Sequence, residues 1–256
     1  MKKHKICKIL LVILAIFLCV AFYELLGICV AYKKQPEVSN TTKKETKNGS
    51  WNECSENTER AVIIEKNPEA LLQRVRLIKN AKKEIILSTF AFQSDESGKL
   101  ILGALHDAAD RGVHIRLLVD GMESWIDMEG NPYFYGLSSH ENVEIKLYNK
   151  ANPLKPWKMM GRMHDKYLIA DGKRYILGGR NTYNYFLGDF PGHKNYDRDV
   201  LVVCDEPEKE NSVNQLLEYF ETIWEQEDSG YFHDNKCKFR FIGSPIPLAT
   251  DQCFRS

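Results

Sequence analysis

The chain has 256 residues, room for one substantial domain or two small ones, and 43% of them are hydrophobic, which suffices for a packed core. Basic and acidic residues number 35 each, so no global charge argues for nucleic acid or an anionic surface as partner. The seven cysteines form no Cys-x-x-Cys pair and imply neither a zinc site nor a disulfide framework; Cys204, Cys237 and Cys253 are read as small core thiols, able to pair only in an extracytoplasmic domain.

Residues 1–8 are basic, with Lys2, Lys3, Lys5 and Lys8 ahead of an apolar run over 9–32 that only Glu24 interrupts. That run is long enough to span a bilayer. A cleaved signal peptide is the rival reading, because Ile9 to Phe22 has the length of an h-region. No small-x-small cleavage site follows in a good position, and the bulky Ile28 makes Leu26 to Cys29 a poor lipoprotein box. The expectation is therefore a single-pass N-terminal anchor with its basic end inside and the following domain outside the cytoplasm. Lys33 and Lys34 on the far side pull against that orientation. Residues 33–59 are rich in Lys, Glu, Asn, Thr and Ser without an apolar period, the composition of a flexible linker.

A catalytic domain is expected over 60–228, with 229–256 as a C-terminal extension. Asn67-Pro68 reads as an N-cap followed by a proline at the first helical position, with Leu71, Leu72, Val75 and Ile78 on one face. Glu84 to Phe92 reads as a buried strand, Gly98 to Arg111 as a helix that Gly112 ends, and Val113 to Val119 as the next strand. Strand, helix and strand at this spacing imply a right-handed parallel crossover. Asp120-Gly121 then opens a loop at a strand's C-terminal end, where α/β proteins place ligand groups. Tyr133 to Leu137 is a short helical candidate and Val143 to Leu147 another strand. The loop from Lys150 to Arg162 sets Lys155, Lys158 and Arg162 beside Trp157, Met159 and Met160. It is either a solvated loop with packing anchors or a basic, apolar rim that receives a lipid headgroup; single-stranded nucleic acid would also suit it.

Met163 to Asn181 organises the rest of the chain. It reads His164-x-Lys166, four residues to Asp171, then six to Gly178-Gly179-x-Asn181. Residues two apart on a strand leave the same face, so His164 and Lys166 would lie side by side. Tyr167 to Ala170 and Tyr175 to Leu177 are β-prone, and Asp171-Gly172 between them reads as a tight hairpin turn. A nucleophile or base, a fixed positive charge and a neutral amide donor together suit a phosphate group. Each element alone is common on solvated surfaces, but the five fixed positions in one strand-turn-strand setting are specific.

Beyond the motif, Thr182 to Asn195 is an aromatic, Gly-rich stretch read as a loop over the site. His193 within it is taken as a surface residue. Asp199 begins a strand over Val200 to Val203 and is either an ordinary strand-end carboxylate or the group that orients an imidazole. Glu208 to Gln226 reads as an amphipathic helix with Leu216, Leu217, Phe220, Ile223 and Trp224 inward. No His, Asp and Cys cluster has ligand spacing, so no metal or other cofactor is expected.

The motif resembles the signature of the phospholipase D superfamily, and its Gly178-Gly179-Arg180-Asn181 form is similar to the bacterial cardiolipin synthase and phospholipase D-like branch. Ser88 to Phe92, the helix from Gly98, the strand ending at Asp120, Tyr196 to Val200, and Phe220 with Trp224 extend the likeness across roughly Arg60 to Glu227. The resemblance implies an α/β fold, a phospholipase D-like sandwich of a mixed β-sheet flanked by helices. It further implies cleavage of phospholipid phosphodiesters through a phosphohistidine on His164. Lys166 and Asn181 would stabilise phosphate oxygens, and Asp171, grouped with the catalytic motif, would brace the turn.

The family's site needs a second histidine to protonate the leaving alcohol, and this sequence carries one motif. Three explanations stay open: a homodimer sharing one site, half of a longer two-motif enzyme, or a degenerate membrane-bound binding domain. His193 or His233 as the missing acid is a weaker one. A homodimeric endonuclease is the alternative enzyme, disfavoured by zero net charge and the anchor.

Overall fold

The strand-helix-strand crossover read from residues 84–120 is the centre of the sheet. The computed structural model describes residues 2–31, 40, 43–44, 59–152, 154–206 and 211–232; most of the expected linker, His233, Cys237 and Cys253 lie outside these. Two compact units result, one of Met1–Ser55 with Ala151–Gly161, the other of Glu56–Lys150 with Arg162–Ser256.

In the larger unit, β1 (Glu59–Ile64) leads into α2 (Asn67–Asn80), β2 (Glu84–Thr89), α3 (Glu96–Asp110) and β3 (His114–Asp120). Two short helices, α4 (Gly121–Asp127) and α5 (Pro132–Ser138), precede β4 (Val143–Tyr148). After the excursion into the other unit come β5 (Tyr167–Ala170), β6 (Arg174–Gly178), β7 (Asp199–Cys204), α6 (Ser212–Trp224) and β8 (Ser229–Tyr231). The eight strands form one mixed sheet in the order β1-β7-β6-β5-β2-β3-β4-β8. β2, β3 and β4 run parallel, and every other neighbour is antiparallel.

Alternation along the strands sends side chains to two faces, and each face has its own helical cover. Leu117 and Ile176 belong to a core that includes Leu71 and Ile78 of α2 and Ile101 and Leu105 of α3. Ile86, Leu118, Tyr167 and Val202 form the other, with Phe220 and Trp224 of α6. This is the expected sandwich. Of the residues expected inward on α6, Phe220 and Trp224 are buried while Leu216, Leu217 and Ile223 are partly so. That helix begins later than expected, where the Asn211 side chain accepts from the Asn214 N–H.

Two local readings are corrected. Asn67 does not cap α2; its buried amide donates to the Asn195 carbonyl and accepts from Arg180 Nε. Asp120 does not open a loop but caps α4, accepting from the N–H groups of Met122 and Glu123. Distant partners decide the first, and the two free N–H groups at the start of α4 decide the second.

The smaller unit holds α1 (Lys2–Ala31), whose stretch His4–Val30 is long and apolar enough to cross a membrane. A 3-10 turn at Pro156–Met160 belongs to the same unit. There the Tyr23 hydroxyl donates to the Leu154 carbonyl at 3.0 Å, and the Tyr23 and Trp157 rings meet edge to face at 6.3 Å.

Candidate active site

The hairpin β5–β6 has the expected turn, with Asp171 at φ 56° and Gly172 at φ 61°, two successive left-handed residues. Asp171 accepts the backbone N–H groups of Lys82, Lys83 and Glu84, which ties the turn to the start of β2. Lys166 precedes β5 and Asp171 follows it, so strand rise alone separates them by about 15 Å. Although grouped with the catalytic motif, Asp171 braces the fold at the far end of the strand.

His164 and Lys166 lie on the extended lead-in just before β5, which the Lys166 carbonyl joins to the sheet by accepting from Gly178 N. Lys166 is 5% exposed, and its Nζ donates to the His164 carbonyl at 2.6 Å. The imidazole of His164 is exposed and rests on Phe90, with ring centroids 4.6 Å apart. Lys166 Nζ is 5.3 Å and the Arg162 guanidinium 4.9 Å from the centroid of the same ring. Phe90 is therefore a platform shared by three basic groups.

Burial and the Lys166 ammonium, with a smaller push from Arg162, hold the His164 pKa below its ordinary value; Asp120 and Asp165 oppose them. The shift favours the unprotonated imidazole. Burial likewise lowers the pKa of Lys166, against the pull of Asp165 and Asp197. Asn181 is buried beside Ala91, whose N–H donates to its Oδ1 at 3.2 Å and so orients the amide.

The glycines are there for close approach. A Cβ on Gly178 would lie 2.0 Å from Asp199 Oδ1 and 2.7 Å from the Arg198 carbonyl, and one on Gly179 would lie 2.0 Å from Asp197 Oδ2. Asp199 itself is held by Arg74 at 2.8 Å and Arg180 at 3.1 Å, with all three side chains buried. Among the described residues its Oδ2 meets the guanidinium groups of Arg74 and Arg180, and its buried Oδ1 has no hydrogen-bond partner. Burial in this ion cluster is not the setting of an ordinary, solvated strand-end carboxylate. Arg180 adds bonds to the carbonyls of Ile64, Glu65 and Asp197, so it fastens Gly178–Asn181 to the end of β1.

Asp120 is the residue whose importance the sequence concealed. It is buried, and besides capping α4 it accepts from Arg162 Nε at 2.9 Å and from the Met163 N–H at 3.0 Å. Arg162 also reaches Glu123 at 2.9 Å. The carboxylate at the end of β3 thereby fixes the residues immediately before His164. A carboxylate at a strand's C-terminal end was the available signal, but its partner 42 residues later was not. His193 stacks on Tyr185 at 5.7 Å, within the aromatic cluster of the 182–195 loop, and no contact with His164 is found among the described residues. No group of three or more His, Cys, Asp or Glu among the described residues is placed to hold a metal ion.

Comparison with known proteins matches residues 74–224, more than half of the chain, to the family described as the phospholipase D-like domain of cardiolipin synthase. Cardiolipin synthase C of Escherichia coli strain K12 is 29% identical over 171 residues, covering 61% of this chain and 34% of that protein. The chain spans about a third or less of the length of the curated relatives it matches. Among solved structures, phosphatidylserine synthase of Haemophilus influenzae Rd KW20 gives a TM-score of 0.53 at 18% identity, over 72% of this chain and 41% of that one. NucT from Helicobacter pylori gives 0.51 at 15% identity, over 68% of this chain and 99% of that one. These likenesses concern the fold.

Proposed function

The chain belongs to the phospholipase D superfamily through its cardiolipin synthase-type domain, and on that premise we propose that it is a membrane-anchored phosphodiesterase or phosphatidyltransferase acting on phospholipids. One observation carries the reading: an exposed imidazole on His164, its pKa held below the ordinary value, stands beside a buried ammonium on Lys166. The imidazole attacks phosphorus, the bond to the leaving alcohol breaks, and the alcohol's oxygen takes a proton from a general acid. Water or a second alcohol then gives its proton to the same acid, now a base, and attacks the phosphohistidine, releasing His164. Lys166 and the oriented amide of Asn181 stabilise the equatorial oxygens, with Lys166 shielded from water, where fixed donors act strongly.

The general acid comes from a second motif: either His164 of another copy in a two-fold pairing, or the second motif of a longer enzyme of which this chain is half. Anchoring by α1, with its basic end inside, keeps the domain at an extracytoplasmic membrane surface.

The test uses the full chain in detergent micelles with phosphatidylglycerol or phosphatidylcholine labelled at phosphorus. Acid-labile label should appear on His164 and be absent in His164→Ala. Failure to label while single-stranded DNA is cut without added metal would replace the lipid reading with the nuclease one; failure of both would leave a binding domain.

A further inference from the structure

The segment Ala151–Gly161 belongs with α1 rather than with the catalytic unit it interrupts. Its turns are ordered internally, by the N–H groups of Leu154 and Lys155 on Asn152 and by Lys158 N on the Lys155 carbonyl at 2.9 Å. What it presents is unusual for a loop in water: Leu154 is 80%, Trp157 40% and Met160 46% exposed. Lys155 and Lys158, both exposed, alternate with them. Apolar tips among lysines suit the boundary between headgroups and acyl chains, where aromatic rings and lysine stems each find both phases.

The contact with α1 gives the depth. Crossing about 30 Å of hydrocarbon takes about 20 residues, and the candidate span His4–Val30 is longer than that. Tyr23 and Glu24 interrupt its apolar run, and the twenty residues that end at Tyr23 begin at His4. A tyrosine beside a carboxylate there is an interfacial anchor, and Trp157 packs on that tyrosine.

We propose that Leu154, Trp157 and Met160, flanked by Lys155 and Lys158, form an interfacial element inserted into the headgroup layer of the bilayer that α1 crosses, on the side of the helix's C-terminal end. Met160, the last residue of the element, precedes His164 by four positions, so the element leads directly into the motif along the chain. The consequence, that substrate is drawn from the membrane holding the anchor, rests on the lipid reading above. The insertion does not.

The experiment therefore reads insertion without turnover. Full-length wild-type and Trp157→Phe proteins are reconstituted in vesicles of phosphatidylcholine and phosphatidylglycerol, with bromine placed either high or low on the acyl chains. The wild type should show a fluorescence component quenched most by shallow bromines and lost in Trp157→Phe. In Leu154→Ser with Met160→Ser, which retains Trp157 as the reporter, that component should weaken and shift to the red. Equal quenching of wild type and Trp157→Phe overturns the proposal, as does a Trp157 emission indifferent to bromine depth. Insertion without lipid turnover would leave the proposal standing and remove the lipid-substrate reading instead.

Discussion

In the proposed mechanism Lys166 has two influences, as a donor to substrate and as a charge that, after burial, helps lower the His164 pKa. In Lys166→Ala the second influence disappears, so the imidazole pKa moves back up towards its ordinary value. Since the nucleophile is the neutral form, the acidic limb of residual labelling should move to higher pH, and an NMR titration of His164 in the same variant should move with it. Arg180 serves differently. It is fully buried against Asp199, and removing one partner of such a cluster strands a charge in a low-dielectric interior. Arg180→Ala should cost about 3–5 kcal/mol by urea unfolding. Arg180→Lys should recover little of this, because an ammonium cannot span the Asn67 side chain and three separate carbonyls at once.

At the level of elements, the hairpin shows what local pattern can reveal. Its two strands and its turn were legible because β propensity and an Asp-Gly pair are both local signals. Asp171→Ala should lower stability by about 1–3 kcal/mol, through three orphaned N–H groups and an alanine forced to positive φ. The His164 titration should stay unchanged, since that end of the strand is remote from the imidazole; the comparison of urea midpoint with NMR pKa checks both halves. The parallel crossover was legible for the same reason as the hairpin. The fates of Asn67, Asp120 and Asp199 were not: Asn67 looked like a cap, Asp120 like a loop opener, and Asp199 like a strand-end carboxylate or an orienter. Each was claimed by an arginine far along the chain, Arg180, Arg162 or Arg74. Phe90 as platform was invisible likewise, because a phenylalanine ending a strand reads simply as core.

For the molecule as a whole, a site that borrows its acid from a second copy has a kinetic signature. Specific activity should fall on dilution in step with the dimer fraction, as followed by mass photometry of the detergent-solubilised protein, with about a tenfold loss one decade below the dissociation constant. Activity that stays constant per chain in a population of monomers would rule out the two-fold arrangement.

The sheet order has a consequence for how the protein is made. Glu59 on β1 pairs with Cys204 on β7, so the first strand of the domain waits for one of the last before its ladder can close. Such long-range closure cannot begin until β7 has been synthesised, and the Arg180 cluster, which includes Asp199 of β7, forms no earlier. On the anchor reading proposed above, α1 leaves the ribosome and enters the bilayer before that ladder can close. Insertion then precedes folding, and the Gly178–Asn181 end of the motif is secured only once β7 has emerged.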